Sequence, residues 1–180
     1  MPTIWTIGHS TRPWEAFLQL LQGAGIRRLV DIRRFAGSRR NPQYGSDAMA
    51  VALPQAGIEY VAMPALGGRR APRPDSPHTG WRNAGFRGYA DYMDTPEYAT
   101  ARDRLEALAR EAPTAIMCAE APWWRCHRGL VADDLKARGW EVLHLLAPGR
   151  AEAHPWTPVA RIVDGRLDYS APGDGQPSLF

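Results

Sequence analysis

A cysteine, a histidine and an arginine stand side by side in the sequence, as Cys126-His127-Arg128, directly before a predicted helix. Free backbone N–H groups and the helix dipole favour an anion at the start of a helix, and they also stabilise a thiolate. Cys126 is therefore a candidate nucleophile, and the two residues after it are candidate ligands for an anionic substrate. The alternative is that Cys126, which closely follows two tryptophans, is only a small buried hydrophobic side chain.

Other polar residues follow predicted strands, and ligands of open parallel sheets bind at the carboxyl ends of strands. These residues are His9, Ser10, Asp31, Arg33, Cys118 and Glu120. His9 has three interpretations: an acid–base group, a phosphate ligand or a hydrogen-bonded structural histidine. Cys118 ends an apolar strand, and this position favours structural packing.

Two carboxylates near the predicted core each allow two interpretations. An ionised carboxylate close to the interior needs a partner, so Glu120 is expected either to act as a general base or to pair with Arg33 or Arg128. Asp31, at the end of the second predicted strand, allows the same two roles. Single residues do not decide between these roles, and the functional interpretation gains weight because several of them converge on one face.

Neither a metal nor a cofactor is indicated by the spacing of these residues. The residues of metal-ligand type are His9, Cys118, Cys126, His127 and His144, and their spacing matches no usual zinc signature. The Gly67-Gly68 pair lacks the spacing of a dinucleotide fingerprint or a P-loop. We therefore expect no metal and no cofactor.

Short β-type runs alternate with amphipathic helical patterns, as is typical of a parallel sheet covered by helices. The predicted strands are residues 3–8, 28–32, 58–62, 114–117 and 141–145. The predicted helices are residues 13–25, 47–56, 86–93, 96–111 and 127–138. Residues 67–85 are rich in glycine, proline and arginine, and a segment of this length and composition is typical of a lid or a disordered loop.

The C-terminal part has a different pattern. Residues 159–163 and 166–169 flank Asp164-Gly165, which favours a two-residue turn with positive φ and so predicts a β-hairpin. The predicted fold is one α/β domain over residues 1–180, a three-layer sandwich with a mainly parallel central sheet and a short C-terminal hairpin. Its core is residues 3–145, and residues 146–180 form the hairpin and tail.

Composition limits the classes of protein to consider. At 180 residues and 44% hydrophobic, the chain is long enough for one good core. Two cysteines are too few for a disulfide framework, and no apolar run is long enough to span a bilayer. The first ten residues lack a signal-peptide pattern, so we expect a cytoplasmic protein with reduced thiols and no membrane partner.

Positive charge is concentrated in the first half of the chain. Eleven arginines lie from Arg27 to Arg87, against four carboxylates, although the formal net charge of the chain is only +3. A G- and C-rich coding sequence would also produce 21 arginines against one lysine. Guanidinium groups nevertheless suit an anionic partner, because their fork binds two oxygens at once.

Six short motifs occur in order along the chain, at residues 6–10 (TIGHS), 29–33 (LVDIR), 38–42 (SRRNP), 66–68 (LGG), 117–120 (MCAE) and 126–128 (CHR). Together they resemble the domain of unknown function 488 family over about residues 3–145. The resemblance implies an α/β fold with a polar cleft and no established reaction. The site positions it implies are His9, Ser10, Asp31, Arg33, Ser38, Gly67, Gly68, Cys118, Glu120, Cys126, His127 and Arg128. The chain departs from the family pattern at Ala36, where proline is common, and after Leu145.

Three functional hypotheses follow. The leading one is an enzyme that holds a phosphorylated or nucleotide-like substrate between Arg33 and Arg128. Its predicted catalytic residues are Cys126, His9 and Glu120, and its predicted substrate-binding residues are Ser10, Asp31, Arg33, Ser38, Gly67, Gly68, Cys118, His127 and Arg128. The second is a nucleic-acid binding or processing protein, whose arginines between residues 27 and 87 track phosphates while Tyr44, Tyr60, Trp81 and Phe86 stack on bases. The third is a thiol or metal sensor that uses both cysteines. The sequence indicates no oligomeric state.

Overall fold

The computed structural model describes residues 1–170, in which five helices cover the two faces of a six-stranded sheet and a small hairpin follows. The strands of the sheet are β1 (Thr3–Gly8), β2 (Arg28–Asp31), β3 (Glu59–Ala62), β4 (Thr114–Cys118), β5 (Glu141–Ala147) and β6 (Arg150–Ala153). The helices are α1 (Trp14–Gly23), α2 (Ser46–Gln55), α3 (Ala84–Met93), α4 (Pro96–Glu111) and α5 (Arg128–Ala137). The hairpin consists of β7 (Arg161–Val163) and β8 (Arg166–Asp168).

Parallel pairing brings the carboxyl ends of the central strands together. The strand order is β3-β2-β4-β1-β5-β6, and every pair is parallel except β5 with β6. The register sets Gly8 of β1 beside Cys118 of β4, and Asp31 of β2 beside Met117 of β4. Three strand ends that precede predicted site residues therefore meet at one end of the sheet.

The sheet is covered on both faces by apolar helix surfaces. All five residues of β4 are buried, as expected for a central strand of a parallel sheet. On one face, α1 and α2 contribute Phe17 and Leu53 to the core, and on the other, α4 and α5 contribute Leu105 and Val131. The three-layer α/β sandwich with a mainly parallel sheet is thus confirmed.

The predicted C-terminal hairpin is confirmed too, and Asp164 and Gly165 both have positive φ in its turn. One strand is missing from the prediction, because β6 pairs antiparallel with β5 just after Gly149. All four residues of β6 are exposed, so this strand lacks the apolar alternation that signals a strand in a sequence. Residues 171–180 of the predicted tail lie outside the described residues.

None of the helices within residues 1–170 combines the length and the apolar surface that a bilayer span requires.

A buried carboxylate on α5 attaches the C-terminal segment to the domain. Asp133 accepts hydrogen bonds from His154 Nε2 at 2.8 Å, from Thr157 Oγ1 at 2.5 Å and from Thr157 N at 3.1 Å. Its Oδ2 also accepts from the Tyr169 hydroxyl at 2.7 Å. These partners lie after β5 in the chain, so the charge of Asp133 connects that segment to the core.

The same network continues through two histidines to β1. Because His154 Nε2 donates to the carboxylate, its Nδ1 accepts from His144 Nε2 at 2.8 Å. His144 Nδ1 then accepts from Thr6 Oγ1 at 2.5 Å. Burial and the neighbouring His154 lower the pKa of His144 to about 2, so this ring is neutral and each hydrogen bond has one donor and one acceptor.

Replacement of the central carboxylate tests this network. Asp133→Ala is expected to lower the free energy of unfolding by about 3–5 kcal/mol, because it leaves several buried donors without an acceptor. Asp103→Ala is the control; its carboxylate is exposed and forms surface ion pairs with Arg102 and Arg138, so a change below about 1 kcal/mol is expected. Urea unfolding measures both values, and equal losses in the two variants would contradict the assigned role.

Candidate active site

A cleft of about 390 Å³ opens at the carboxyl ends of β2 and β4. It is lined by Arg33, Arg34, Phe35, Gly68, Arg69, Asn83, Gly85, Phe86, Tyr89, Cys118, Ala119, Glu120, Arg125, Cys126 and His127. These residues come from the segments after β2, β3 and β4, from the start of α3 and from the turn before α5. The fold therefore gathers at one place side chains that lie up to about half the chain apart.

Cys118, the last residue of β4, contacts a buried guanidinium. Arg128 Nη1 donates to Cys118 Sγ at 3.0 Å and to the carbonyl of Glu120 at 2.9 Å, and Nη2 donates to the carbonyl of Ala121 at 2.9 Å. Arg128 is only 1% exposed, and no carboxylate within residues 1–170 pairs with it. A buried guanidinium without a carboxylate favours an anionic neighbour, and the sulfur of Cys118 is the contacting atom that can ionise.

The two buried thiols have opposite pKa shifts. Burial opposes ionisation of Cys118, but the neighbouring Cys126 thiol and the Arg128 charge outweigh burial and lower its pKa to about 7. Burial and the neighbouring Cys118 raise the pKa of Cys126 above its ordinary value. Of the two thiols, Cys118 is therefore the one that ionises first.

This charge distribution differs from the one that the sequence favours. Cys126 does precede α5, and its Sγ accepts from the backbone N–H of Arg128 at 3.4 Å. However, the guanidinium of Arg128 reaches Cys118 instead, so the side chain interpreted as packing has the more stable thiolate. Both thiols line the cleft, and the nucleophilic role of Cys126 stays a prediction.

His127 is a neutral ring with a free acceptor beside Cys126. Its Nε2 donates to the carbonyl of Ile32 at 3.0 Å, which leaves Nδ1 as the acceptor, 3.4 Å from Cys126 Sγ. Burial lowers the pKa of His127 to about 4. Gly68 packs against this ring so closely that a Cβ there would lie 2.9 Å from Nδ1.

Arg33 lines the cleft, but most of its donors are occupied. Its Nε and Nη2 donate to the two carboxylate oxygens of Asp31 at 2.9 and 2.7 Å, and the Tyr60 hydroxyl donates to the same carboxylate at 2.6 Å. Asp31 is 1% exposed, so this is a buried ion pair. Of the two roles predicted for Asp31, the structure contains the ion pair.

His9 lies behind Arg33 and outside the cleft lining. Its Nδ1 donates to the carbonyl of Ser10 at 2.8 Å, and its Nε2 accepts from Arg33 Nη1 at 3.3 Å. The ring stacks on Tyr44 with 4.4 Å between centroids. Burial, with a smaller contribution from the Arg33 charge, lowers the pKa of His9, so a neutral His9 orients Arg33.

Three exposed arginines surround the cleft and give it a positive potential. Arg34, Arg69 and Arg125 are all in its lining, and none of them is among the site residues predicted from the sequence. The guanidinium groups of Arg34 and Arg69 each lie 5.4 Å from the ring centroid of Phe35. Each of the three is adjacent in sequence to a predicted site residue, and this adjacency is the signal from which they could have been predicted.

Of the two roles predicted for Glu120, the ion pair with Arg33 or Arg128 is not formed within residues 1–170. Arg128 contacts the carbonyl oxygen of Glu120, and the Glu120 side chain is exposed. The chain leaves the core at the end of β4, so Glu120 reaches solvent and needs no buried partner. Glu120 does line the cleft, where a general-base role stays a prediction.

Half of the predicted site residues line the cleft: Arg33, Gly68, Cys118, Glu120, Cys126 and His127. The others lie behind it or beside it: His9, Ser10, Asp31, Ser38, Gly67 and Arg128. Ser38 Oγ accepts from the backbone N–H of Asn41 at 3.2 Å, which is a local turn contact. Arg128 therefore supports the base of the cleft and does not form one of its walls.

The arginine-rich segment from residue 67 to 85 contacts the cleft only at its two ends. Its middle is attached elsewhere, because the carboxylate of Asp91 on α3 accepts from Arg73 N at 2.8 Å and from Ser76 Oγ at 2.6 Å. Asp91, His78 and Asp94 also have side-chain atoms of metal-ligand type within 4.8 Å of one another. The cysteines and histidines considered from the sequence form no such group within residues 1–170.

Together, the three-layer fold and the thiol pair at its strand ends define an α/β protein with a cysteine-containing, positively charged cleft. A family model described as domain of unknown function DUF488 matches residues 13–135, which is more than half of the chain. The chain belongs to this family. A search of curated proteins and a search of solved structures each gave no match.

The pH dependence of alkylation tests the assigned thiolate. Only the thiolate reacts, so the rate of Cys118 with iodoacetamide should rise with pH and reach half its maximum near the lowered pKa, about 7. Cys126→Ala removes the neighbouring thiol that lowers the pKa of Cys118 and should move this midpoint to higher pH. Peptide mass spectrometry follows each cysteine separately, and a wild-type Cys118 midpoint near the ordinary value of about 8.5 would refute the assignment.

Proposed function

We propose that this protein is an enzyme that binds an anionic, phosphorylated or nucleotide-like substrate in the cleft and attacks it with a thiolate. The observation that carries the proposal is the 3.0 Å contact between Cys118 Sγ and the buried Arg128, at the base of a cleft surrounded by exposed arginines. A stabilised thiolate is a nucleophile, and a positive cleft raises the local concentration of anions. We expect such an enzyme to act in the cytoplasm, where its thiols stay reduced.

The arginines of the cleft divide into two groups. Arg33 and Arg128 are buried and have fixed partners, so they hold the site together. Arg34, Arg69 and Arg125 are exposed, and none of them pairs with a carboxylate within residues 1–170. Their guanidinium groups are the ones available to bind phosphate oxygens.

The exposed ring of Phe35 supports the proposal that the substrate is nucleotide-like. Phe35 is 60% exposed in the cleft lining, and the guanidinium groups of Arg34 and Arg69 each lie 5.4 Å from its ring centroid. An exposed aromatic ring next to cations offers a stacking surface for a base and charge for a phosphate on the same ligand. Glu120 is the acidic residue of the lining and is the candidate for proton transfer to a leaving group.

The nucleic-acid hypothesis has weaker support. Of the aromatic residues that it requires on the surface, Tyr44 is buried against His9, and the Tyr60 hydroxyl is bonded to Asp31. Trp81 packs on Phe86, with 5.1 Å between their centroids. Tyr44 is therefore unavailable to stack on bases, and the other three rings are half-buried and have partners within the protein.

Alkylating reagents of different charge test the anion preference of the cleft. Iodoacetate, an anion, should modify Cys118 faster relative to neutral iodoacetamide than it modifies a free cysteine peptide. Arg125→Gln should lower the iodoacetate-to-iodoacetamide rate ratio roughly two- to five-fold, which is the size expected for one charge near a surface site. Arg150→Gln, on the distant strand β6, is the matched control and should leave the ratio unchanged. A wild-type ratio equal to that of the peptide would exclude an anion-selective cleft.

Ligand-induced thermal shifts test the substrate class. AMP and inorganic phosphate should both raise the melting temperature, since a ligand that binds only the folded state stabilises it. Phe35→Leu keeps an apolar side chain but removes the ring, so it should reduce the shift by AMP and leave the shift by phosphate. Equal shifts by AMP in the wild type and in Phe35→Leu would argue against base stacking at this position.

A further inference from the structure

The second thiol is a feature that nucleophilic attack by Cys118 alone does not require. Cys126 is 7% exposed and Cys118 is 2% exposed, yet both line the same open cleft. Both sulfur atoms also contact Arg128, one through Nη1 at 3.0 Å and one through the backbone N–H at 3.4 Å. The two thiols also interact directly, since each one shifts the pKa of the other. Two thiols held together in one cleft have the arrangement of an attacking and a resolving cysteine.

We propose that Cys118 and Cys126 form a two-electron redox couple that reduces a disulfide carried on a phosphorylated or nucleotide-like group. This inference rests on the proposed function, because it assigns the bond that the enzyme attacks to the same anionic ligand. The arginines around the cleft bind the carrier, and its sulfur atoms reach the thiols at the base.

The reaction has two exchange steps. In the first, the Cys118 thiolate attacks one sulfur of the substrate RS–SR; a Cys118–SR bond forms, the substrate S–S bond breaks, and RS⁻ leaves and takes a proton from water. In the second, the sulfur of Cys126 attacks Cys118 Sγ, the Cys118–Cys126 disulfide forms, and the second RS⁻ leaves. The substrate disulfide gains two electrons, the protein dithiol loses two, and a dithiol or two monothiols from outside restore the reduced protein.

His127 is placed to take the proton of the resolving thiol. Its Nδ1 lies 3.4 Å from Cys126 Sγ and is free to accept because Nε2 donates to Ile32. In the second step, Cys126 transfers its proton to Nδ1, and the departing RS⁻ collects it.

The charge on each cysteine fits this order of attack. Thiol–disulfide exchange is fastest when the attacking thiol has a pKa near the ambient pH, and the Arg128 contact favours the thiolate of Cys118. Cys126 keeps its proton because a second charge beside the first is unfavourable in a buried pair. Cys118 is therefore the attacking residue and Cys126 the resolving residue.

Two disulfides with the same reacting end provide the test. Coenzyme A disulfide and pantethine share the pantetheine arm and differ in the phosphorylated nucleotide. Coenzyme A disulfide should oxidise the reduced full-length protein at least about ten-fold faster than pantethine, as expected for steering of an anion into a positive cleft. Mass spectrometry should identify an internal Cys118–Cys126 disulfide as the product. Arg125→Gln should reduce the rate advantage, and Arg150→Gln should preserve it.

Cysteine variants assign the two roles. Cys126→Ser should stop at a mixed disulfide on Cys118, with the mass of one added coenzyme A, whereas Cys118→Ser should not react at neutral pH. If Cys126→Ser does not fold, rapid acid quenching of the wild-type reaction should trap the same intermediate. Failure of both disulfides to oxidise the protein would overturn the redox couple, and equal rates for the two would overturn the assigned carrier. If either result is obtained while Cys118 still prefers iodoacetate, the anion-binding enzyme of the proposed function is retained, and only the redox couple or its carrier is rejected.

Discussion

The site is organised around a guanidinium that the fold buries without a carboxylate. Arg128 is 1% exposed, and it is compensated by two carbonyl oxygens and by the sulfur of Cys118. To supply those carbonyls, the chain after β4 has to turn back over the start of α5. The same turn brings Cys126 next to Cys118. This one buried residue thus contacts the turn after β4 and both thiols, and together with Cys126 its charge lowers the pKa of Cys118.

The turn after β4 also requires that the backbone at Gly8, the end of β1, approach the backbone of Glu120 closely. The Cβ of any residue at position 8 would lie 1.8 Å from the carbonyl oxygen of Glu120, so only glycine allows β1 to pass under the segment that binds Arg128. The backbone N–H groups of His9 and Ser10 then donate to the carbonyls of Cys118 and Ala119 at 3.0 and 2.8 Å. The ends of β1 and β4 are therefore rigidly joined behind the cleft, which keeps Cys118 in a fixed position.

The buried polar network around Asp133 supports the same region from the other side. The ring of Trp123 stacks on His144, with 5.0 Å between centroids and 7° between planes, and Trp123 begins the short turn that ends at Arg125 just before Cys126. Through His144 and His154, this turn is linked to Asp133 and to the hairpin segment. The hairpin at the end of the described chain thus has a structural connection to the cysteine turn, although it lies outside the cleft.

Much of this protein could be predicted from sequence because the signals are local. Apolar periodicity and turn residues predict the strands, the helices and the hairpin, since each depends on neighbours within a few positions. The six motifs at strand ends indicate where a site should be, and half of the residues chosen from them line the cleft. Strand β6 was not predicted because all its side chains are exposed and its pairing depends on β5 alone.

The distribution of charge was decided only by the tertiary structure. Whether Arg128 faces a substrate or Cys118, whether Glu120 is buried, and which arginines are paired all depend on distances between segments that are remote in sequence. Side-chain direction, burial and the nearest counter-charge set these properties, and none of the three is encoded by residue type or local spacing. The sequence by itself determined the fold class and the end of the sheet where the candidate site lies; the tertiary contacts determined which thiol contacts the Arg128 guanidinium.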